Sequence, residues 1–140
     1  MRNEIKLLFF TLILVLGLGT TNTSAEDTNL LRRPNSVSFK GENQNWLFLH
    51  RMYLKGSEIE FDTKIKYKGN MNKIKNLPSI SYSISGKHSF YGSQFSLKNS
   101  NEFQSKRMPC GGCEYLDKEK EITVFIYIDG DKEKIILTRE

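Results

Sequence analysis

The segment from Glu58 to Lys68 has the sequence EIEFDTKIKYK, in which apolar or β-branched residues alternate with charged residues. Successive side chains of a β-strand point to opposite faces, so this alternation predicts a strand with one buried and one hydrated face. The register is strongly fixed, because a slip of one residue would move six charges into the core. A hydrated face also accounts for Glu58, Glu60 and Asp62 without acid–base or calcium chemistry.

Two strands are predicted before this segment, at Ser36–Lys40 and Asn45–Leu54, with a turn-forming Gly-Glu-Asn-Gln cluster between them. In the second strand, apolar residues occupy odd and even positions alike, so both of its faces are apolar. We therefore expect it to be covered on both faces for part of its length. The sole tryptophan, Trp46, is expected in the core and not as a carbohydrate platform.

The strongest hairpin signal lies near the C-terminus. Residues alternate from Ile122 to Ile128, Asp129-Gly130 follows, and alternation resumes at Ile135 and Leu137. The acidic residues around Gly130 resemble a fragment of a calcium loop but lack its full ligand pattern, so a turn is favoured. Two further strands are predicted at Ile80–Ile84 and Ser89–Leu97.

About seven short strands with almost no helical periodicity predict an all-β fold. We expect an antiparallel β-sandwich of immunoglobulin-like architecture, with a small β-barrel as the alternative. The domain is expected to span residues 36–140, after a flexible lead-in at residues 26–35 whose Pro34 resists helix formation. The stretch from Lys98 to Lys120 has weak strand character and is expected to be a long connection.

Residues 1–25 have the features of a secretory signal peptide. A charged start precedes the apolar run from Leu7 to Gly19, and the small residue Ala25 stands before polar Glu26. The run is shorter than a typical membrane-spanning helix, although an uncleaved anchor is the alternative. We therefore expect a secreted or cell-envelope protein, cleaved near Ala25.

The chain is mildly basic, with a net charge of +5 at pH 7. This charge favours weak attraction to an anionic cell-wall polymer, a membrane surface or another envelope protein, and export argues against nucleic acid. A local basic cluster runs from the strand at residues 58–68 into the following loop. Its members are Lys64, Lys66, Lys68, Lys73 and Lys75.

The only cysteines form the sequence Cys110-Gly111-Gly112-Cys113. In an exported protein such a pair is expected to form a disulfide, and the glycines allow the tight turn that a short ring requires. Thiol–disulfide exchange is the alternative, but the glycines and the following acidic residues do not suit a reactive thiol at a helix start. A metal site with His50 and His88 lacks the local ligand spacing of zinc modules.

No nucleophile elbow, phosphate-binding glycine loop or zinc-protease helix motif is present. The sequence therefore predicts no catalytic residue, no metal ligand and no cofactor. It leaves the binding residues unassigned.

Two parts of the mature chain support a resemblance. The first part is Ser38-Phe39-Lys40-Gly41-Glu42 with Asn45-Trp46, and the second is the cysteine segment leading through Tyr115-Leu116 into Glu121-Ile122-Thr123-Val124. Both resemble small exported proteins of unknown function from low-GC Gram-positive bacteria. The resemblance implies an exported sandwich domain and supplies no catalytic residues. Together these observations predict a non-enzymatic exported module that acts at the cell envelope or outside the cell by binding. An extracytoplasmic thiol–disulfide oxidoreductase is the alternative.

Overall fold

Antiparallel β-strands make up most of the chain described by the structure, a computed structural model that covers residues 34–87 and 90–140. The predicted signal peptide, most of the lead-in and His88 lie outside the described residues. Pro34–Glu140 belong to one compact unit. Within the described ranges, no helix has the length and apolar character needed to cross a membrane.

Nine strands follow one another along these residues, interrupted by a single short 3₁₀ helix at Met71–Lys73. They are β1 (Ser36–Glu42), β2 (Trp46–Lys55), β3 (Glu58–Tyr67), β4 (Ile80–Ser85), β5 (Phe90–Phe95), β6 (Glu102–Gln104), β7 (Met108–Pro109), β8 (Glu121–Ile128) and β9 (Asp131–Arg139).

All nine strands belong to one sheet with the order β5-β4-β8-β9-β1-β2-β3-β6, and β7 also pairs with β3. Every pairing is antiparallel. Strand β9 lies between β8 and β1, so it joins strands from the two ends of the described chain. The short strands β6 and β7 pair with successive parts of the same edge of β3.

The sheet curls until its two ends approach each other. The hydroxyl of Tyr91 on β5 lies 2.6 Å from Nε2 of His50 on β2, and the rings of Phe95 on β5 and Phe103 on β6 are 5.2 Å apart. Within the described ranges no backbone hydrogen bond joins β5 to β6. The result is a nearly closed barrel with a seam, the gap between β5 and β6, that side chains bridge.

Inward-facing strand residues, together with a few residues of the connecting segments, form one hydrophobic core. The fully buried large side chains are Trp46, Phe39, Phe48, Met52, Ile65, Ile80, Ile84, Leu97, Leu116, Ile126, Ile135 and Leu137. Trp46 packs against the rings of Tyr67 and Phe95, at 4.7 and 6.0 Å between ring centroids. Its predicted place in the core is therefore confirmed.

The predicted all-β, antiparallel class is confirmed. The single sheet is nearest to the barrel alternative, although its two halves face each other across the core as the layers of a sandwich do. Nine strands replace the expected seven or so, because β6 and β7 form in the stretch predicted as a connection. The hairpin turn is also confirmed, with Asp129 and Gly130 at φ angles of 47° and 91°.

Candidate binding site

The outer face of strands β2 and β3 carries a set of paired polar side chains. Arg51 and Tyr53 on β2 lie opposite Asp62 and Glu60 on β3 in the ladder. Because these residues alternate with the buried set, all four project from the barrel on the same side. Cross-strand neighbours on one face are close enough to form ion pairs and hydrogen bonds.

Asp62 is the centre of this set and is only 6% exposed. Its Oδ1 lies 2.8 Å from both Nε and Nη2 of Arg51, and its Oδ2 accepts a hydrogen bond of 2.8 Å from the hydroxyl of Tyr53. Gln104 on β6 adds a longer hydrogen bond of 3.4 Å. Donors from two other strands, β2 and β6, therefore balance the buried charge, as a buried carboxylate requires.

These contacts change the protonation equilibria of the donors. The hydrogen bond to Asp62 raises the pKa of Arg51 above its ordinary value. Partial burial, followed by the hydrogen bond to Asp62, raises the pKa of Tyr53. The guanidinium therefore stays charged and the phenol stays neutral across the physiological range.

The segment between β6 and β7 covers one side of the set. Arg107 lies 3.6 Å above the ring of Tyr53 and pairs with Glu60, with 2.7 Å between Nε and Oε2. The prediction that these acidic residues lie on a hydrated face is therefore wrong for Asp62, which is buried, and incomplete for Glu60, which is partly covered. Neighbouring long side chains and the added strands cover that face, which alternation within β3 alone does not reveal.

A groove of about 300 Å³ opens beside this set on the outer surface. Its lining includes Ser36 and Ser38 of β1, Arg51 and Tyr53 of β2, and the neighbouring Arg139 and Glu140. The pairing of β1 with both β2 and β9 brings these residues together. A backbone hydrogen bond of 3.0 Å from Glu140 to Ser38 holds the far wall in place.

The groove offers mainly hydrogen-bond donors. Arg51, Tyr53 and two serines line it, whereas Glu140 supplies a carboxylate that lies 3.8 Å from Nζ of Lys40. Such a set suits recognition of an oxygen-rich anion. No sequence motif marked these residues, since the groove depends on the register of three strands. The only local signal was that the basic Arg51 and the aromatic Tyr53 interrupt the apolar character of β2.

His50 lies inside the barrel and is fully buried. Its Nδ1 is 3.0 Å from Oγ1 of Thr63, and Nε2 is the partner of Tyr91 at the seam. Burial lowers the pKa of His50 to about 3, so the ring is neutral at physiological pH. Both ring nitrogens are thus hydrogen-bonded, on a strand in the middle of the sheet.

Cys110 and Cys113 form a disulfide with their Cα atoms 5.6 Å apart. Both residues are partly buried against the core, and the amide of Cys110 donates a 2.8 Å hydrogen bond to the carbonyl of Ile59. The glycines between them are exposed, and Gly112 has a φ angle of 80°. The backbone hydrogen bond to Ile59 therefore holds the end of β7 beside the start of β3, and the disulfide closes the turn that follows.

The predicted basic cluster is largely paired with acidic residues. Lys64 and Lys66 both contact Glu102, at 3.4 and 3.1 Å, and Lys68 lies 3.0 Å from Glu42. The two lysines beyond the strand, Lys73 and Lys75, are exposed. The positive charge of the first three is locally balanced, which weakens the cluster as an anion-binding surface.

Comparison of the chain with protein-family models, curated proteins and solved structures found no match. Among the described residues, no group of three or more His, Cys, Asp or Glu side chains is arranged to hold a metal ion. The groove lined by Arg51 and Tyr53, both held by Asp62, is the candidate binding site in the part of the chain that the structure describes.

Proposed function

We propose that this protein is an exported, non-enzymatic binding module that acts at the cell envelope and recognises an anionic wall polymer through the groove. One observation carries the proposal: Asp62 holds the guanidinium of Arg51 in a fixed position at the wall of a groove rich in donors. A side chain ordered before binding loses less conformational entropy when its ligand arrives.

The positions of the reactive groups also favour binding over catalysis. His50 is on the inner face of β2, next in sequence to Arg51 on the outer face, and both of its ring nitrogens have partners. It therefore cannot act as a base in the groove without leaving the core.

The proposal is tested by sedimentation of purified residues 26–140 with isolated bacterial cell walls. The matched control is the same wall preparation after chemical removal of its phosphate polymers. We expect the protein to pellet with intact walls and to remain in solution with stripped walls. Equal recovery from both preparations, or no binding to either, would contradict the proposal.

Export is tested separately in the native host. The signal-peptide features predict that the mature protein begins at Glu26 and is found in the envelope or medium. N-terminal sequencing of the fractionated protein decides this point. An intact Met1 in the membrane fraction would indicate the anchor instead.

A thiol–disulfide oxidoreductase is the second candidate, favoured by the exposed loop that carries the disulfide. A catalytic pair requires a thiol of lowered pKa that reacts rapidly at acidic pH. Rapid alkylation of reduced Cys110 at pH 6, together with turnover of a disulfide substrate, would support this candidate. Slow alkylation without turnover would leave the disulfide with a structural role.

A further inference from the structure

The outer face of strands β5, β4, β8 and β9 carries an aromatic ring between polar side chains. The ladder places Gln94, Ser81, Tyr127 and Lys132 side by side across these four strands. They alternate with the buried residues of their strands, so all four project outward. Tyr127 therefore has hydrogen-bonding side chains on one side and a cation on the other.

The ring of Tyr127 lies along the sheet with its outer side open to water. Its hydroxyl lies 3.4 Å from Oγ of Ser83 on β4, which is diagonal to it in the ladder. Ser83 faces outward yet is only 5% exposed, because the ring reaches across it, whereas Tyr127 itself is 37% exposed. The hydroxyl contact thus anchors one edge of the ring and leaves an apolar surface accessible.

Small residues on β4 and β5 leave space beside this ring. Gly92 lies opposite Ser83, and Ser81 is the direct neighbour of Tyr127. A Cβ atom at Gly92 would lie 2.3 Å from the carbonyl oxygen of Tyr82, so a larger residue would push the two strands apart. We call this surface the shelf, and its residues are Tyr127, Ser81, Ser83, Gly92 and Gln94.

The charges beside the shelf are balanced. Nζ of Lys132 lies 3.8 Å from the ring centroid of Phe125, which orients the ammonium group. Lys134 is exposed on the same face, and Asp129 and Asp131 are exposed at the adjoining turn. Positive and negative residues are equal in number here, which favours an uncharged ligand over an anion.

The exposed apolar surface is small. Within residues 34–87 and 90–140, the exposed large hydrophobic residues are Tyr127 and Ile136, both on the outer face of the β8–β9 hairpin. Membrane-surface binding scales with the apolar area that enters the lipid, and two side chains supply little. An aromatic ring with hydrogen-bonding neighbours instead matches a sugar ring, which has an apolar C–H face and a rim of hydroxyls.

We propose that the shelf binds an uncharged pyranose unit of the wall glycan, stacked on the ring of Tyr127. Gln94 and Ser81 bond its hydroxyls on one side, and Lys132 donates to an oxygen on the other. No residue of the shelf lines the groove, and the inference takes from the proposed function only the wall as the source of the ligand. One stacked ring on an open surface should bind in about the millimolar range, too weakly to retain the protein on stripped walls.

The first experiment is an NMR titration of ¹⁵N-labelled residues 26–140 with chitotetraose, an uncharged chain of pyranose rings. We expect shifts at the amides of Ser81, Tyr127 and Lys132. Sorbitol at the same hydroxyl concentration is the matched control, because it has hydroxyls but no ring face. The absence of shifts, equal shifts with sorbitol, or shifts confined to other surfaces would overturn the proposal.

The second experiment compares Tyr127→Ala with Ile136→Ala. The two side chains are 37% and 42% exposed on the same outer face, so each variant removes a similarly exposed apolar group. We expect Tyr127→Ala to weaken chitotetraose binding about tenfold, because stacking requires the aromatic ring, and Ile136→Ala to have little effect. Melting temperatures verify that both variants are folded. Equal losses would contradict stacking on Tyr127.

A third variant, Tyr127→Phe, separates the ring from its hydroxyl. It keeps the stacking surface and loses only the contact with Ser83. We expect it to retain most of the affinity for chitotetraose. A loss as large as that of Tyr127→Ala would show that the hydroxyl and not the ring face carries the binding, and the proposal would fail.

Other occupants of the shelf give different results. Binding to phosphatidylglycerol vesicles that both Tyr127→Ala and Ile136→Ala weaken would identify a lipid surface, and shelf shifts on raising the protein concentration would identify a second copy. Either result without chitotetraose binding overturns the proposal. If intact walls retain the protein but chitotetraose does not bind, the inference fails and the proposed function stands; chitotetraose binding without wall retention has the reverse meaning.

Discussion

A buried carboxylate such as Asp62 is stable only while its hydrogen-bond donors remain in place. Its side chain is 8% exposed, whereas that of Arg51 is 42% exposed, so the pair is shielded from water on one side only. Surface ion pairs such as Lys66–Glu102 lie in water and are screened by salt. The two kinds of pair on the same outer face should therefore respond very differently to loss of the cation.

We expect Arg51→Met to reduce the free energy of unfolding by about 2–3 kcal/mol, because Asp62 loses its charged donor while remaining buried. The partial exposure of Arg51 places this value below that of a fully buried pair. Lys66→Met is the matched control and should cost less than about 1 kcal/mol. Urea denaturation measures both values, and equal costs would show that Asp62 is better solvated than its exposure implies.

His50 gives the stability of the fold a specific dependence on pH. Burial lowers its pKa to about 3 in the folded protein, from the ordinary value of 6.5, although the charge of Asp62 partly opposes this. Below pH 6.5 the unfolded chain takes up a proton that the folded chain does not, so acid favours unfolding. The slope reaches about 1.4 kcal/mol per pH unit and ends near the folded pKa.

The pH dependence is measured by comparing the wild type with His50→Gln, which retains polar atoms but does not titrate. At pH 7 the wild type should be the more stable of the two, because His50 bonds to both Thr63 and Tyr91. The difference in unfolding free energy should shrink steadily from pH 6.5 towards pH 4. A difference that stays constant over this range would mean that His50 is protonated in the folded protein.

At the scale of elements, the β8–β9 hairpin shows how successive side chains of one strand alternate between the core and the outer face. Ile135 is 1% exposed and faces the core, while the next residue, Ile136, is 42% exposed on the outer face. The two isoleucines have the same chemistry and almost the same place in the chain. Only the direction of the side chain distinguishes them.

Ile135→Ala should therefore reduce the free energy of unfolding by about 2–5 kcal/mol, because it leaves a cavity in the packed core. Ile136→Ala should cost less than about 1 kcal/mol, since its side chain is already partly hydrated. Chemical denaturation of the two variants measures this difference. Similar costs would indicate that an additional surface covers the outer face of β9 in solution.

The elements that sequence analysis predicted are those whose signal is local. Alternation in β3 and in the β8–β9 hairpin needs only neighbouring residues, and Asp129-Gly130 specifies its turn by its own backbone preference. The short strands β6 and β7 have no such pattern. They exist because the edge of β3 supplies partners from more than thirty residues earlier in the chain.

The candidate site, like β6 and β7, depends on contacts between segments that are distant in the sequence. Alternation assigned Asp62 to the outer face correctly, but the donors that bury it come from β2 and β6. Its surroundings follow from strand register and curvature, which a single segment does not specify. The disulfide was predictable because its two cysteines are close in sequence and have no competing partners.

At the scale of the whole molecule, the barrel is closed by side chains at the seam and by backbone hydrogen bonds elsewhere. Tyr91 and Phe95 connect β5 to residues on β2 and β6. Alternation predicted that one face of the sheet is buried, but one curled sheet and two stacked sheets both satisfy this condition. The choice between barrel and sandwich therefore depended on packing across the core.

The central position of β9 has a consequence for the order in which the chain can fold. Without β9, strands β1 to β3 and strands β4, β5 and β8 have no ladder between them. A growing chain therefore reaches its last strand before the two halves can join, and its many long-range pairings slow folding further. A chain cut before β9 should therefore be unable to close the barrel, even though it contains every other strand.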